Sequence, residues 1–585
     1  MSKLQPTNFQ YVAQNDKLKL IGHQTNPLRR VGLLRAFLMI VLLVQSGYGA
    51  TNPIRLNTVG FLPHHEKRAS VATRCSAFTL IDSKDGGVVF RGKVTGPITN
   101  HDTNEALYIA DFSTFDRPGI YRLDVAGVGS SATFSINSDL YGGPFQTLMQ
   151  AMYLWRCGTK VRASYGGITY SHDACHLSDA WLDLAGEGHA RLNATGGWHD
   201  AGDYNKYVVN AGVTVGTMFL AWEQFGEQLR GLKLGLSEFS PPLPDYLKEI
   251  KWEMDWLLKM QSPDGSVYHK VSTKLFGPAI LPELENTERY LAPWSSAATA
   301  DFVAMTGIAA RIYEPFDQQY ARNCLEAARR SYEFLRLHPE NERANLSDFR
   351  TGAYQTNDLD DRLWAAAELW QTTGESLYLF DFETRAAAFT VKFSADWGWN
   401  DVKNLSMLTY LLSARGGRHS ELLQQIRAEL IATADAIVRT REVHGYARPL
   451  GERYYWGANG GVANTTVLLQ AAQRIAPRTA YIETALDTLG YLFGRNYYGR
   501  SFVTGLGADP PQHPHDRRSM GQPGAPTWPG YLVGGGWPKA ADWRDDSAKY
   551  EVNEIAINWN AALIYAMAGF VRNPVATGAN RTESR

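Results

Sequence analysis

The sequence predicts a β-sandwich followed by an all-α domain in which paired helices form a double ring. Residues 51–138 contain short stretches where apolar and polar residues alternate, separated by glycine and proline. From about residue 140 apolar residues recur with helical spacing instead, and the intervening loops carry Gly, Pro, Trp and His. A chain of 585 residues is long enough for two or three domains.

The predicted sandwich begins with alternation in residues 54–57 and continues in residues 72–80 and 121–125. Turn signals such as Gly86-Gly87 and Pro118-Gly119 separate these stretches. Short strands at this spacing are typical of a sandwich of about 90 residues. No cluster of chemically reactive side chains falls inside residues 51–138, so we interpret this region as a packing or positioning module.

The second region, residues 139–572, contains twelve candidate helices. Twelve helices in antiparallel pairs can close into six inner and six outer helices, with the loops at one end forming a cleft. No fixed-length repeat supports an open solenoid instead. The candidates lie near residues 143–156, 206–227, 244–261, 297–312, 317–337, 359–372, 376–391, 403–414, 418–439, 461–476, 478–493 and 551–571.

The charge balance gives no reason to expect a nucleic acid or an anionic membrane as partner, because 58 basic and 59 acidic residues leave a net charge of −1. The aromatic content of 12%, with 16 Trp and 29 Tyr, suits the flat apolar faces of sugar rings. Large enzymes also bury many aromatic residues without binding sugars.

Residues 1–50 resemble a leader. Three arginines up to Arg35 precede the apolar run 36–44, and small residues up to Ala50 follow it. The apolar run has nine residues, whereas a membrane span needs about 20. We therefore expect a secreted or periplasmic protein that is free of the membrane after cleavage, with an uncleaved signal anchor as the alternative. The polar tail, residues 573–585, is expected to be disordered.

The first chemically distinctive segment is residues 196–204, which reads Gly-Gly-Trp-His-Asp-Ala-Gly-Asp-Tyr. Asp200 and Asp203 are three residues apart, at the mouth of the helix predicted to start near Lys206. The N–H groups and dipole of a helix N-terminus can keep carboxylates ionised, as a general base requires. Simple helix capping by Asp203 explains the pattern equally well.

The second segment is residues 543–561, which places Glu554 near the start of the last predicted helix. Tyr550, Ile555 and Trp559 lie close to it in sequence. An apolar and aromatic environment raises the pKa of a carboxyl group, as a general acid requires near neutral pH. A surface glutamate in the first turn of a helix is the alternative.

These two segments resemble the hallmarks of glycoside hydrolase family 9, a cellulase family with an (α/α)6 barrel. Residues 198–203 are similar to the loop that bears the family's base. The acid signature matches at Trp543, Asp545, Tyr550, Glu554, Ala556, Asn560 and Ala561.

Residues 501–517 resemble the remaining signature of the family and retain His515 and Arg517. The segment departs at Asp509, where the family usually has Asn, Lys or Arg, and at Asp516, where a second His is common. These departures affect the details of sugar binding and leave the catalytic assignment intact. Residues 54–63 resemble the immunoglobulin-like domain that precedes the barrel in one branch of the family.

The resemblance implies an inverting reaction. Asp203 would deprotonate the attacking water, Asp200 would help to hold that water, and Glu554 would protonate the leaving oxygen. Inversion requires the acid and the base about 6.5–9.5 Å apart. The resemblance further implies sugar contacts from His515, Arg517, Trp456 and Tyr550.

A zinc site is expected from two thiols and two imidazoles, which suit tetrahedral Zn²⁺. The same branch of the family has a similar Cys, Cys-His, His pattern. His172 is a rival fourth ligand, and a Cys157–Cys175 disulfide is the alternative in an exported protein. The candidate ligands are Cys157, Cys175, His176 and His199.

A calcium site is expected at the acidic start of the helix near residue 359, because oxygen-rich clusters bind Ca²⁺. The cluster is similar to a calcium site of the family, with Asp358 as a spare ligand. Helix capping without a metal is the alternative. The candidate ligands are Thr356, Asn357, Asp360, Asp361 and Asp401.

The resulting functional hypothesis is a monomeric endo-β-1,4-glucanase acting on cellulose-type glucans. An exo-acting relative that trims glucose or glucosamine units from short oligosaccharides would use the same acid and base. Residues 270–293 are long enough to form a loop that closes one end of a cleft. A non-catalytic sugar-binding protein is disfavoured by the presence of Asp200, Asp203 and Glu554 together.

Overall fold

A computed structural model describes residues 52–235 and 243–572. The predicted leader, residues 1–50, and the polar tail, residues 573–585, lie outside the described residues. Within the described part of the chain no helix is both long and apolar enough to cross a membrane.

The N-terminal region is a β-sandwich in which strands pair in the order β1-β3-β6-β5-β4-β7-β9-β2, with β8 beside β7. The first half of β5 pairs with β4 and the second half with β6, so this strand joins the two layers. Phe61 packs edge-on against Phe112 and Phe134 between them. The strands are β1 (Ile54–Arg55), β2 (Gly60–Phe61), β3 (Arg68–Val71), β4 (Ala77–Asp82), β5 (Val88–Asn100), β6 (Glu105–Asp111), β7 (Gly119–Val125), β8 (Gly129–Ser130) and β9 (Phe134–Ile136).

The helical region contains twelve long helices in described residues, which confirms the predicted double ring. The inner helices are α2 (Val208–Leu229), α4 (Ser296–Tyr313), α6 (Leu359–Thr373), α8 (Lys403–Leu412), α10 (Ala458–Ile475) and α14 (Ile557–Ala568). The outer helices are α1 (Gly142–Leu154), α3 (Asp245–Leu257), α5 (Gln318–Leu337), α7 (Ser376–Ala388), α9 (Ser420–Val443) and α11 (Thr479–Leu492). Two short helices, α12 (Arg517–Met520) and α13 (Tyr550–Asn553), lie in loops.

The residue patterns explain which helices lie inside. In α4 nearly every residue is buried, and small side chains such as Ala298 and Ala304 allow neighbouring helices to approach. In α5 the buried residues recur every three or four positions, as in Tyr320, Cys324 and Ala328, so only one face is covered. The ring closes where α14 packs against α2 and α10.

The loops that precede the inner helices meet at one end of the ring. The rings of Tyr354, before α6, and Trp399, before α8, lie 5.1 Å apart. Those of Trp456, before α10, and Tyr550, before α14, lie 5.3 Å apart. Candidate site residues far apart in sequence therefore share one end of the domain.

Five further strands occur in these loops. A hairpin is formed by β10 (Val161–Tyr165) and β11 (Ile168–His172). A three-stranded sheet is formed by β12 (Lys206–Tyr207), β13 (Lys270–Ser272) and β14 (Tyr290–Leu291). This sheet joins the start of α2 to the segment 270–293.

The sandwich is fastened to the helical region by buried hydrogen bonds. Ser70 Oγ donates to the carbonyl oxygen of Gly445 (2.6 Å), and the Gly445 N–H donates to Asn100 Oδ1 (2.8 Å). The N–H of Thr58 donates to the carbonyl oxygen of Phe493 after α11 (3.0 Å). The sandwich thus packs against the segments that follow the outer helices α9 and α11.

Candidate active site

Backbone hydrogen bonds join the three segments that the sequence singled out. The Ile557 N–H donates to the carbonyl oxygen of Asp200 (2.9 Å), and the Arg517 N–H donates to that of Gly202 (3.0 Å). His515 and Glu554 form a parallel bridge. Asp200, Asp203, Glu554, His515 and Arg517 are therefore brought together by the main chain.

Gly202 allows this close approach. A Cβ atom at this position would overlap the carbonyl oxygen of His515. The turn that enters the segment also needs glycine, because Gly196 and Gly197 have φ angles of 99° and 74°. Glycine is thus required here by both the turn and the contact between segments.

Both oxygens of the Asp200 carboxyl group have hydrogen-bond partners. Asn210 Nδ2 donates to Oδ1 (2.7 Å), and the Tyr354 hydroxyl donates to Oδ2 (2.8 Å). Burial and the nearby Asp203 raise the pKa of Asp200 to about 8, although these hydrogen bonds oppose the change. Asp200 is therefore held in place by two hydrogen bonds.

Asp203 differs because only one of its oxygens is occupied. Its Oδ2 accepts from Asn205 Nδ2 (2.6 Å) and from the Tyr207 hydroxyl (3.1 Å). Its Oδ1 is buried and has no hydrogen-bond partner in the described chain. Burial raises the pKa of Asp203, while the Arg517 guanidinium lowers it. Oδ1 is therefore available to a water molecule.

The start of α2 corrects one expectation. The helix begins at Val208, and its N-terminus is not capped by any side chain. Asp203 is held by Asn205 and Tyr207 instead, and burial raises the pKa of both aspartates. The expectation that a helix N-terminus keeps the two carboxyl groups ionised is wrong, because both groups lie in a buried loop before the helix.

Glu554 does not lie in a helix, contrary to the predicted single helix 551–571. The segment 554–556 is an extended break between α13 and α14, and it pairs with the loops of Ala201 and Val533. The half-buried Glu554 has a pKa raised well above its usual value by desolvation and by Asp203 and Asp200; Arg517 opposes this change. A raised pKa favours the protonated form of the carboxyl group, which is the form that can donate a proton.

His515 and Arg517 border these carboxyl groups. His515 Nδ1 bonds to the carbonyl oxygen of Ser547 (2.7 Å), which leaves Nε2 for another partner, and burial lowers the pKa of the imidazole. Arg517 donates to the carbonyl oxygens of Gly277 (3.0 Å) and Gly202 (2.9 Å). Its charge acts on both Asp203 and Glu554.

Two aromatic side chains at the site remain accessible to solvent. Trp456 is 43% exposed and Tyr550 is 49% exposed, and the Tyr550 ring lies 5.9 Å from that of His515. Trp456 also lies beside Glu554 and acts to lower the pKa of its carboxyl group. These faces can stack on a bound sugar beside the acid.

The sequence did not identify several residues that hold the carboxyl groups. Asn205, Tyr207, Asn210 and Tyr354 contact the two aspartates directly. Among these four residues, only Asn210 could have been noticed in the sequence, because it is a polar residue inside a largely apolar helix. Asp545, noted only as a signature position, accepts from the backbone of Gln512 and His513 and so braces the segment before His515.

Cys157, Cys175, His176 and His199 form a compact group that could hold a metal ion, with their ligand atoms within 4.8 Å of one another. Cys157 Sγ lies 3.6 Å from His176 Nδ1, and Cys175 Sγ lies 3.6 Å from His199 Nε2. The sulfur atoms are 4.0 Å apart, so the two cysteines form no disulfide. Tetrahedral Zn²⁺ would separate such atoms by about 3.5–3.8 Å, given its bond lengths. The donor set fits.

The rival ligand His172 lies outside this group. Its ring is 6.1 Å from that of His199, and its Nδ1 bonds to the carbonyl oxygen of Asp173 (2.8 Å). His176 Nε2 lies 3.1 Å from Glu285 Oε2, so Glu285 orients this candidate ligand.

The candidate calcium ligands are less closely gathered. Asp360 Oδ2 accepts from the Val402 N–H (2.6 Å), and Asp401 pairs with Lys403. Asp361 faces Asp301 of α4, and neither of these two buried carboxyl groups accepts a hydrogen bond from another group in the described chain. Thr356 and Asn357 lie at the partly exposed entrance to α6. The oxygen donors suit Ca²⁺, although the set would have to rearrange to enclose it.

The helical double ring and its facing carboxyl groups define an enzyme that cleaves glycosidic bonds. The family model for glycosyl hydrolase family 9 matches residues 141–567, and that for the cellulase N-terminal ig-like domain matches residues 49–130. The chain belongs to glycosyl hydrolase family 9, which confirms the resemblance and the order of the two regions.

Named relatives match most of this chain. Endoglucanase D of Acetivibrio thermocellus is 55% identical over 531 residues, covering 90% of this chain and 85% of its own. A cellodextrinase of Butyrivibrio fibrisolvens is 30% identical, covering 88% and 99%. The crystal structure of a metagenome-derived family 9 endoglucanase has a TM-score of 0.83 and 31% identity, covering 88% of this chain and 98% of its own.

Proposed function

We propose that this protein is an endo-β-1,4-glucanase that hydrolyses internal bonds of cellulose-type glucans with inversion. The observation that carries the proposal is the asymmetry of the carboxyl groups. Asp203 has one free, buried oxygen, whereas the pKa of Glu554 is raised well above its usual value. The 55% identity to an endoglucanase over 90% of the chain favours this substrate class.

In the proposed reaction Asp203 Oδ1 takes a proton from water as the water oxygen bonds to the anomeric carbon. The glycosidic bond breaks, and its electron pair remains on the leaving oxygen, which takes the proton of Glu554. Asp200 would orient the water. Each carboxyl group then returns to its starting state by exchange with solvent.

Substrate contacts are assigned to the groups around the acid. His515 Nε2 and the Arg517 guanidinium would bind sugar hydroxyls, and Trp456 and Tyr550 would stack on sugar rings. The exposure of Trp456 and Tyr550 and the positions of His515 and Arg517 beside the carboxyl groups support these roles.

The test is the product pattern from carboxymethylcellulose and cellohexaose. Endo action predicts a rapid fall in viscosity with mixed oligomers. Steady release of one small sugar with little change in viscosity would contradict it and support exo action.

The exo-acting alternative has specific support in the segment 270–293. The Tyr204 hydroxyl donates to the carbonyl oxygen of Ile280 (2.5 Å), and Arg517 holds Gly277, so this segment lies against the site. The cellodextrinase relative makes shorter substrates a concrete alternative. The non-catalytic alternative predicts no turnover in the unaltered protein.

For the metal sites we propose structural Zn²⁺ bound by Cys157, Cys175, His176 and His199. Zinc would supply only fixed geometry, because four protein ligands close its shell. His199 precedes Asp200, so this would steady the segment that bears the aspartates.

We also propose Ca²⁺ near the start of α6, with Thr356, Asn357, Asp360, Asp361 and Asp401 as ligands. The unpartnered buried oxygens of Asp361 support a cation there.

Export and a monomeric state complete the proposal. The charged, apolar and small-residue pattern of residues 1–50 supports export, as does a polymeric substrate that cannot enter a cell. N-terminal sequencing of secreted protein and light scattering test these two points.

A further inference from the structure

The two oxygens of Asp203 have different surroundings, and Tyr207 is one cause of that difference. Asn205 and Tyr207 both donate to Oδ2, whereas Oδ1 has no partner among described residues. A carboxyl group can exchange its oxygens by rotation about one bond. Two donors on the same oxygen oppose that rotation, because each hydrogen bond would be lost in a buried site.

The direction of the Tyr207 hydroxyl is fixed by a second contact. Its oxygen accepts from the Gly352 N–H (3.1 Å). A phenol has one proton to donate. Because the Gly352 N–H occupies a lone pair, the hydroxyl proton is free to point at Asp203 Oδ2.

Lys270 of β13 holds residues 351–352 in place. The Lys270 ammonium donates to the carbonyl oxygen of Gly352 (2.8 Å) and to Thr351 Oγ1 (3.0 Å). Tyr207 pairs with Lys270 in the sheet. Asn205 Oδ1 accepts from the Thr273 N–H just after this strand (3.0 Å). Both donors to Asp203 are thus anchored at the same strand.

We propose that Tyr207 is a positioning residue whose hydroxyl holds Asp203 Oδ2 and reserves Oδ1 for the attacking water. This inference rests on the proposed role of Asp203 as the base. Tyr207 touches neither the water nor the sugar in this role and acts only through Asp203. Burial raises the pKa of Tyr207 well above its usual value, so the phenol remains a donor.

The test is Tyr207→Phe, which removes only the hydroxyl. We expect kcat to fall by about 10-fold or more, since 10-fold is the lower end of the range for one hydrogen bond to a charged group, with KM changed less than about twofold. A hydrogen bond to a carboxylate lowers its pKa, so its loss should move the acidic limb of the kcat/KM profile to higher pH. The other titratable or charged groups facing Asp203 are unaltered in this variant: Asp200, Lys270, Glu285, His515, Arg517 and Glu554.

Tyr332→Phe is the matched control, because its hydroxyl also donates to a carboxylate, Asp381 Oδ2 (2.7 Å), but between outer helices. Equal effects of the two substitutions on kcat and on the acidic limb would overturn the inference. Gly352→Ala provides a second variant, since its methyl group would lie 3.0 Å from Tyr207 Cζ and displace the ring. It should move the acidic limb in the same direction.

Asp203→Asn separates this inference from the proposed function. If Asp203→Asn keeps near-normal turnover, the base assignment fails. If Asp203→Asn is inactive while Tyr207→Phe matches the unaltered enzyme in kcat and pH profile, only the role of Tyr207 fails.

Discussion

The Ile557 N–H donates to the carbonyl oxygen of Asp200, 357 positions earlier in the chain, at a distance of 2.9 Å. This bond lies three residues from Glu554 and three from Asp203. The proposed acid and base are therefore positioned by one shared backbone contact, and their relative placement depends on the ring being closed by α14.

Replacing the proposed acid should separate binding from chemistry. Glu554→Gln keeps the shape of the side chain but has no proton to donate, so we expect kcat to fall at least 100-fold. Binding of cellohexaose, measured by calorimetry, should change little. Turnover near that of the unaltered enzyme would show that another group is the acid.

The charge of Arg517 should set the position of the pH profile. Arg517 lowers the pKa of both Asp203 and Glu554. In Arg517→Gln both values rise, so the base ionises at higher pH and the acid remains protonated to higher pH. Both the acidic and the basic limb of the kcat/KM profile should therefore move to higher pH. Arg517→Lys retains the charge and should leave the limbs nearly in place, even if its activity falls.

Glu285 should affect metal affinity without being a ligand. Its carboxylate fixes His176 by a 3.1 Å contact, and losing such a partner typically weakens metal binding 10–100-fold. We expect Glu285→Gln to release zinc to a chelator at correspondingly lower chelator concentration. Glu288→Gln, which alters an exposed contact with Tyr290, is the control and should retain the original affinity.

Gly202 should tolerate no side chain. Gly202→Ala would force the base-bearing segment away from His515, with an expected loss of about 1–3 kcal/mol in the free energy of unfolding and a large loss of kcat. Gly143→Ala is the comparison, because a Cβ atom in α1 meets nothing within 4 Å and should be neutral or stabilising. Equal thermal shifts in the two variants would contradict the contact.

The proposed calcium should stabilise the protein through Asp361. We expect calcium to raise the melting temperature of the unaltered protein and to have a much smaller effect on Asp361→Asn. Glu421→Gln, in the first turn of the outer helix α9, should respond to calcium as the unaltered protein does. An unchanged melting temperature of the unaltered protein across calcium concentrations would argue against the site.

The sequence alone determined the order of the two regions, the approximate bounds of the helices, the family and the candidate acid and base. Local periodicity and contiguous motifs contain that information. Tertiary structure alone decided that the last predicted helix breaks at Glu554, because pairing with the loops of Ala201 and Val533 replaces helical hydrogen bonds there. It also placed Tyr207 and Tyr354 against the aspartates and left Asp203 Oδ1 without a hydrogen-bond partner among the described residues. The contacts of Tyr354 and Glu554 join residues far apart in the chain, which closure of the helical ring brings together, whereas Tyr207 lies four residues from Asp203 and reaches it through the loop that enters α2.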